Sequence, residues 1–198
     1  MTSVFVFHVA RAVVAGGLAV AALSGASAQD ALPSAKDIMA QLTADFDQDG
    51  IADRLIVTRN PEGGDFGDLH VFKGSKDAAG KDSFKRLSLS KEFSFGVHSI
   101  EEKRKGVFTV ESGNANGRYK WEQTLTIAWR EGRLVVLGIT YASYDSLAAE
   151  EMGNIGCDLN LSTGKGTRGD KNRPVRVSLK PVPVAQWTDE KRPKVCGA

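Results

Sequence analysis

The chain has 198 residues, with 26 basic and 24 acidic side chains for a net charge of +2, and only three histidines and two cysteines. A balance this close to neutral lacks the overall basic excess of a nucleic-acid-binding domain. The charge is unevenly placed: residues 29–70 carry nine acids against three bases, and residues 163–198 carry nine bases against three acids. The two ends either neutralise each other in the fold or present separate surfaces, and a solvated basic face turned toward the acidic segment is the plainer account.

In chain order, residues 1–28 read as a Sec-type signal peptide. Arg11 precedes an apolar run over 12–23, and the small triplet Ala26-Ser27-Ala28 offers the cleavage site. That run is shorter than the roughly 20 apolar residues of a membrane span, and no cysteine follows the cut to accept a lipid. The expectation is a periplasmic or secreted protein without a transmembrane segment once the signal is removed, residues 29–198 forming a single β-rich domain. The stretch "SAKDIMAQL" (34–42) predicts a short N-terminal helix, capped by Ser34 with Ile38, Met39 and Leu42 on one side. The loop "DFDQDGIAD" (45–53) follows, and from there alternating runs predict strands: "RLIVTR", "LHVFKG", "FKRLSLS", "FSFGVHSIEE", "KGVFTVES" and "YKWEQTLTIAWR", with Gly, Asn and charged turns between them. Glu131-Gly132 gives the next run, "LVVLGITYASYD", a tight hairpin connection. "CDLNLSTGKG" and "PVRVSLKPVPV" supply the last strands. Many short strands with no repeat period argue for a mainly β, antiparallel domain, arranged as a sandwich, a barrel or a propeller-blade-like sheet. Cys157 and Cys196, an even pair in an exported chain, predict one disulfide tethering the C-terminal tail.

The aspartate loop carries the clearest chemistry. A hard divalent ion such as Ca²⁺ takes six to eight oxygens at about 2.3–2.6 Å, which a loop supplies from alternate residues with Gly at the sharp turn. With Asp45 as position one, Asp47 and Asp49 stand at three and five, Gly50 at six, the Ile51 carbonyl at seven and Asp53 at nine. This matches the front of an EF-hand loop, but position twelve is Ile56 where the EF-hand needs a bidentate Glu, and a strand-like run follows instead of a helix. "DFDQDGIADRLIV" resembles the calcium loops of FG-GAP/VCBS repeat proteins, D-x-[DN]-x-D-G-x-x-D followed directly by an apolar strand. The resemblance implies Ca²⁺ as cofactor, with Asp45, Asp47, Asp49, the Ile51 main chain and Asp53 as ligands. Gln48 stands where that family usually has Gly, and a single loop cannot build the family's usual multi-bladed propeller.

Other sites read as structure. "STGKGT" lacks the phosphate-loop pattern, His70 and His98 lack zinc spacing, and the adjacent acids Glu101-Glu102 and Glu150-Glu151 point to opposite faces of a strand. No catalytic residue or organic cofactor site emerges. The expectation is an exported calcium-binding β protein with a non-catalytic binding or envelope-associated role, its partner an unidentified protein or envelope polymer and not nucleic acid. The alternative is a periplasmic hydrolase acting on envelope polymers, which would need two convergent acids, or an acid with a His, from distant strands.

Overall fold

A computed structural model describes residues 32–61, 63–148, 155–169 and 171–197; the expected signal segment at 1–28 and the acids Glu150 and Glu151 lie outside them. Twelve strands form among the described residues: β1 (Ile38–Ala44), β2 (Asp53–Arg59), β3 (Phe66–Lys76), β4 (Asp82–Phe95), β5 (Val97–Arg104), β6 (Val107–Asn114), β7 (Tyr119–Arg130), β8 (Arg133–Asp145), β9 (Ile155–Asn160), β10 (Lys165–Arg168), β11 (Arg173–Arg176) and β12 (Val182–Pro183). They build two antiparallel sheets. One runs β1-β2-β3-β4, and the other runs from β5 to β11 in chain order, with β12 pairing beside β8. Neither closes into a barrel. No helix among the described residues is long and apolar enough to cross a membrane.

The expected antiparallel β architecture is borne out, whereas the expected N-terminal helix is not. Residues 35–37 make a single 3-10 turn, and Ile38–Ala44 is a strand. The spacing of Ile38, Met39 and Leu42 suits a helix, but Ala40, Leu42 and Ala44 also alternate with exposed Gln41 and Thr43. Pairing Leu42 with Leu55 and Ala40 with Val57 places that alternate set against the core, so long-range pairing overrides the local period.

Alternation also explains the core. Leu55, Val57 and Val71 of the first sheet join Phe108, Val110, Leu125 and Ile127 of the second in one buried cluster, and burial of each such side chain contributes about 1.5–3 kcal/mol. Ile56 and Phe72, of opposite parity, are also fully buried but on the other face of the first sheet. There the Arg86 guanidinium lies 5.4 Å from the Phe72 ring centre and the His70 ring stacks on Phe72 at 6.2 Å.

The chain passes from one sheet to the other at Gly96. Its φ is +59°, and a β-carbon there would lie 2.2 Å from the Gly113 carbonyl oxygen, so the corner needs glycine. After β11 the chain returns across both sheets. Ser90 Oγ in β4 donates to the Val184 carbonyl at 2.6 Å, and the Asp189 carboxylate accepts from Phe95 N at 3.2 Å and Gln123 Nε2 at 3.0 Å. Trp187 is buried to 1% exposure. The expected disulfide, Cys157 to Cys196, fixes the end of this strap to β9.

Candidate metal centre

The aspartate loop joins β1 to β2, and its ends are held by the pairing of Ala44 with Asp53. Phe46 anchors it from inside: the side chain is 1% exposed and its ring lies 6.0 Å from Phe108 and 5.3 Å from Trp129. The flanking aspartates are thereby turned outward. Gly50 takes φ +89° and Gln48 takes φ +66°. Gln48 thus adopts the left-handed conformation that glycine would take more easily at the position where the FG-GAP pattern usually has Gly.

Hydrogen bonds local in sequence shape the rest of the loop. Asp45 Oδ2 accepts from Gly50 N at 3.1 Å, Asp47 Oδ1 from Asp49 N at 3.3 Å, and Asp49 Oδ1 from Ile51 N at 2.8 Å. Asp45, Asp47 and Asp49 each offer a carboxylate oxygen, all three within 4.8 Å of one another. Among the described residues this is the one group of three or more His, Cys, Asp or Glu side chains close enough to share a metal ion. Asp45 Oδ1 is buried and has no hydrogen-bond partner. Oxygen donors alone suit a hard cation over the softer transition metals.

Asp53 has a different place. It is fully buried, its Oδ2 accepts from Phe46 N at 3.1 Å and its Oδ1 from Gly74 N at 2.8 Å. Burial raises its pKa above the ordinary aspartate value, and the two amide bonds oppose that rise. The carboxylate ties the loop to β3 from behind and is not one of the three clustered aspartates. Gly74 permits this contact: a β-carbon there would sit 2.1 Å from the Ala52 carbonyl oxygen.

Two lysines distant in sequence complete the electrostatics. The Lys73 ammonium on β3 bridges Asp47 and Asp49, at 2.7 Å from Asp49 Oδ2. Hydrogen bonds to Asp47 and then Asp49 push the Lys73 pKa well above its usual value, and the bond from Lys73 is the main reason the Asp49 pKa is lowered. Lys105, in the β5–β6 turn, stands 3.9 Å from Asp45 Oδ2. A recess of about 230 Å³ is lined by both that turn and the loop, through Phe46, Asp47, Gln48 and Arg104 among others.

The loop spacing therefore assembles Asp45, Asp47 and Asp49 and sets Asp53 behind them. Ile51 is held through its amide, which donates to Asp49. The sequence reading missed Lys73, since nothing in the loop pattern points to a residue 26 positions from Asp47. It also looked to the C-terminal bases to face the acidic segment, whereas the loop's ion-pair partners among the described residues are Lys73 and Lys105. His70 pairs with Thr58 Oγ1 at 3.0 Å and His98 lies 3.3 Å from the Gly96 carbonyl, so neither serves the aspartate cluster. The chain matches no protein-family model, no curated protein and no solved structure.

Proposed function

We propose that this is an exported β protein whose 45–53 loop holds Ca²⁺ as a structural clamp, with a non-catalytic binding role at the cell envelope. The observation that carries the cation reading is the Asp45–Asp47–Asp49 group with the Lys73 ammonium set between two of its members. The cluster needs a compensating positive charge, and a lysine meets it in part. A bound Ca²⁺ would supply a compact divalent charge held by Asp45, Asp47 and Asp49, the loop pattern adding the Ile51 carbonyl, while Asp53, a ligand in that pattern, is engaged here by the Phe46 and Gly74 amides. The chain's own contribution is to fix the loop through Phe46 and Asp53 and to keep Asp45 Oδ1 free of other bonds. Export is supported by the 1–28 pattern and by a disulfide, which suits an oxidising compartment.

The test is a thermal melt in chelator and with added Ca²⁺, for the wild type and for Asp47→Ala and Asp49→Ala. Metal bound by the folded state alone raises the melting temperature. Ca²⁺ is expected to shift the wild type upward and the variants little, and an unmoved wild type rejects the reading.

A second reading, a hydrolase acting on envelope polymers, is favoured by one observation. His98 of β5 and Glu122 of β7 line the same cleft of about 140 Å³, with Lys120, Trp121 and Tyr144. Gly113 stands opposite Glu122 on the intervening strand. An acid and an imidazole from separate strands are the minimum for acid–base work. Release of soluble fragments from peptidoglycan, abolished by Glu122→Gln, would establish this reading.

A further inference from the structure

Among the described residues the second sheet has an open edge. At one end β5 has β1 beside it, whereas at the other β11 pairs with β10 alone. In this terminal hairpin Lys165 stands directly opposite Arg176, and Arg168 directly opposite Arg173. Like charges directly opposite each other on an antiparallel pair repel and weaken the pairing. All four residues are exposed, and no hydrogen bond or ion pair to a described residue neutralises their side chains. Residues 163–180 hold six bases against one acid, so a chain of net charge +2 is acidic over the remainder taken together. The aspartate loop leaves this excess untouched, because its own partners are Lys73 and Lys105.

Protection of a sheet edge explains part of this pattern, since charged residues and Pro174 on β11 deter a further strand from pairing. It does not explain Lys165 and Arg168, which lie on β10, an interior strand between β9 and β11. An acid at either position would keep the edge charged and relieve the repulsion. A hairpin that sets four cations in opposition is suited to an anion outside the molecule.

The geometry also bears on the kind of anion. Residues 165 and 168 differ in parity, so one like-charged pair projects from each face of the hairpin. The charge is thus divided between the two faces of an edge. Residues 163–180 contain no aromatic side chain on which a base could stack. Leu179 is 40% exposed beside Lys180, adding an apolar group to the basic segment. We propose that β10–β11, with residues 177–180, docks edge-on against a membrane surface of anionic phospholipid, its arginines and lysines meeting the headgroup phosphates. This supplies a partner for the envelope-associated reading above, yet its test is independent of the cation loop.

The test is co-sedimentation of the folded protein with vesicles of phosphatidylglycerol and phosphatidylcholine, in chelator so that no calcium bridge contributes. Binding is expected to the mixed vesicles, not to phosphatidylcholine alone, and to fade as added salt screens the charges. Arg173→Gln with Arg176→Gln should weaken it by about tenfold or more, given a several-fold contribution from each base at an anionic surface. Lys76→Gln with Lys103→Gln removes the same charge elsewhere and should leave binding unchanged. The proposal is overturned by absence of binding to the mixed vesicles or by equal effects of the two double variants. Tighter binding to duplex DNA through the same hairpin would overturn it equally. A circular-dichroism melt of each variant confirms that a loss reports the surface and not the fold.

Discussion

Lys73 sets the character of the aspartate loop. Its ammonium bridges Asp47 and Asp49, so any metal ion at those carboxylates competes with a cation already tethered to β3. Lys73→Met should lower the melting temperature in chelator, because the aspartates then repel without compensation, and should raise Ca²⁺ affinity by roughly three- to tenfold, the worth of one partly screened ion pair. Titration calorimetry of both proteins reads the second effect, and equal affinities would show that the lysine moves aside without consequence. His70 offers a separate test. Burial first, and the Arg86 charge second, lower its pKa below 6.5, so the unfolded chain takes up the proton before the folded one does. Its contribution to stability is therefore full above about pH 6.5 and is lost as the pH falls from there toward the folded-state pKa. Urea midpoints between pH 7.5 and 5 should fall in the wild type, and His70→Gln should flatten that part of the slope. At this scale the sequence was half legible. Asp45, Asp47 and Asp49 could be read because a local spacing brings them together, whereas Lys73 and Gly74 reach the loop only through the β2–β3 register.

At the scale of elements, local turn chemistry was the most readable signal. Glu131 and Gly132 take φ values of +50° and +79° and close the β7–β8 hairpin as its sequence predicts, because the constraint lies within two residues. "SAKDIMAQL" could not be read in the same way. Its apolar residues fit two periods, and the choice was made by β2, which offers Leu55 and Val57 as partners. The Gly96 corner was invisible for a related reason: "FSFGVHSIEE" reads as one strand, and a glycine within such a run does not reveal that the sheets divide there. Gly96→Ala tests how much depends on it. Both the positive φ and the close Gly113 carbonyl oppose a side chain, so a loss of at least about 2 kcal/mol is expected. The denaturant midpoint should fall, and a near-neutral result would mean that the corner opens to accept the methyl group. Gly80→Ala is the comparison, since its φ is also positive but nothing stands within 4 Å of the added carbon.

For the whole molecule, the C-terminal strap links the two sheets beyond the core they share. Val184 and Asp189 bond to β4, Gln123 of β7 bonds to Asp189, and Cys196 is joined to Cys157 of β9. The pairing of the two cysteines was legible from their count, but the strap's route was not, because residues 182–197 contain little regular structure beyond the two-residue β12 and three 3-10 turns. The strap holds through two layers of constraint. The disulfide closes a loop with a sequence separation of 39 residues, which in the chain-entropy model stabilises by roughly 4 kcal/mol. The buried Trp187 and the Asp189 bonds then hold the strap locally. Removing the covalent layer separates them. Cys157→Ser with Cys196→Ser should lower the unfolding free energy by up to roughly 4 kcal/mol. If the local contacts cannot hold the tail without the bridge, Trp187 leaves its site and tryptophan emission moves to the red before the sheets unfold. If they can, emission and circular dichroism lose their native signals together, and the strap unfolds with the core as one cooperative unit. The strap's Arg192 lies 5.9 Å over the Trp121 ring of β7, so an early red shift without loss of sheet signal reports release of the strap, through Trp187 leaving its site and through Trp121 losing that cover. Two separated transitions would identify the strap as a unit held chiefly by its disulfide, and a single transition would make Trp187 and Asp189 part of the core.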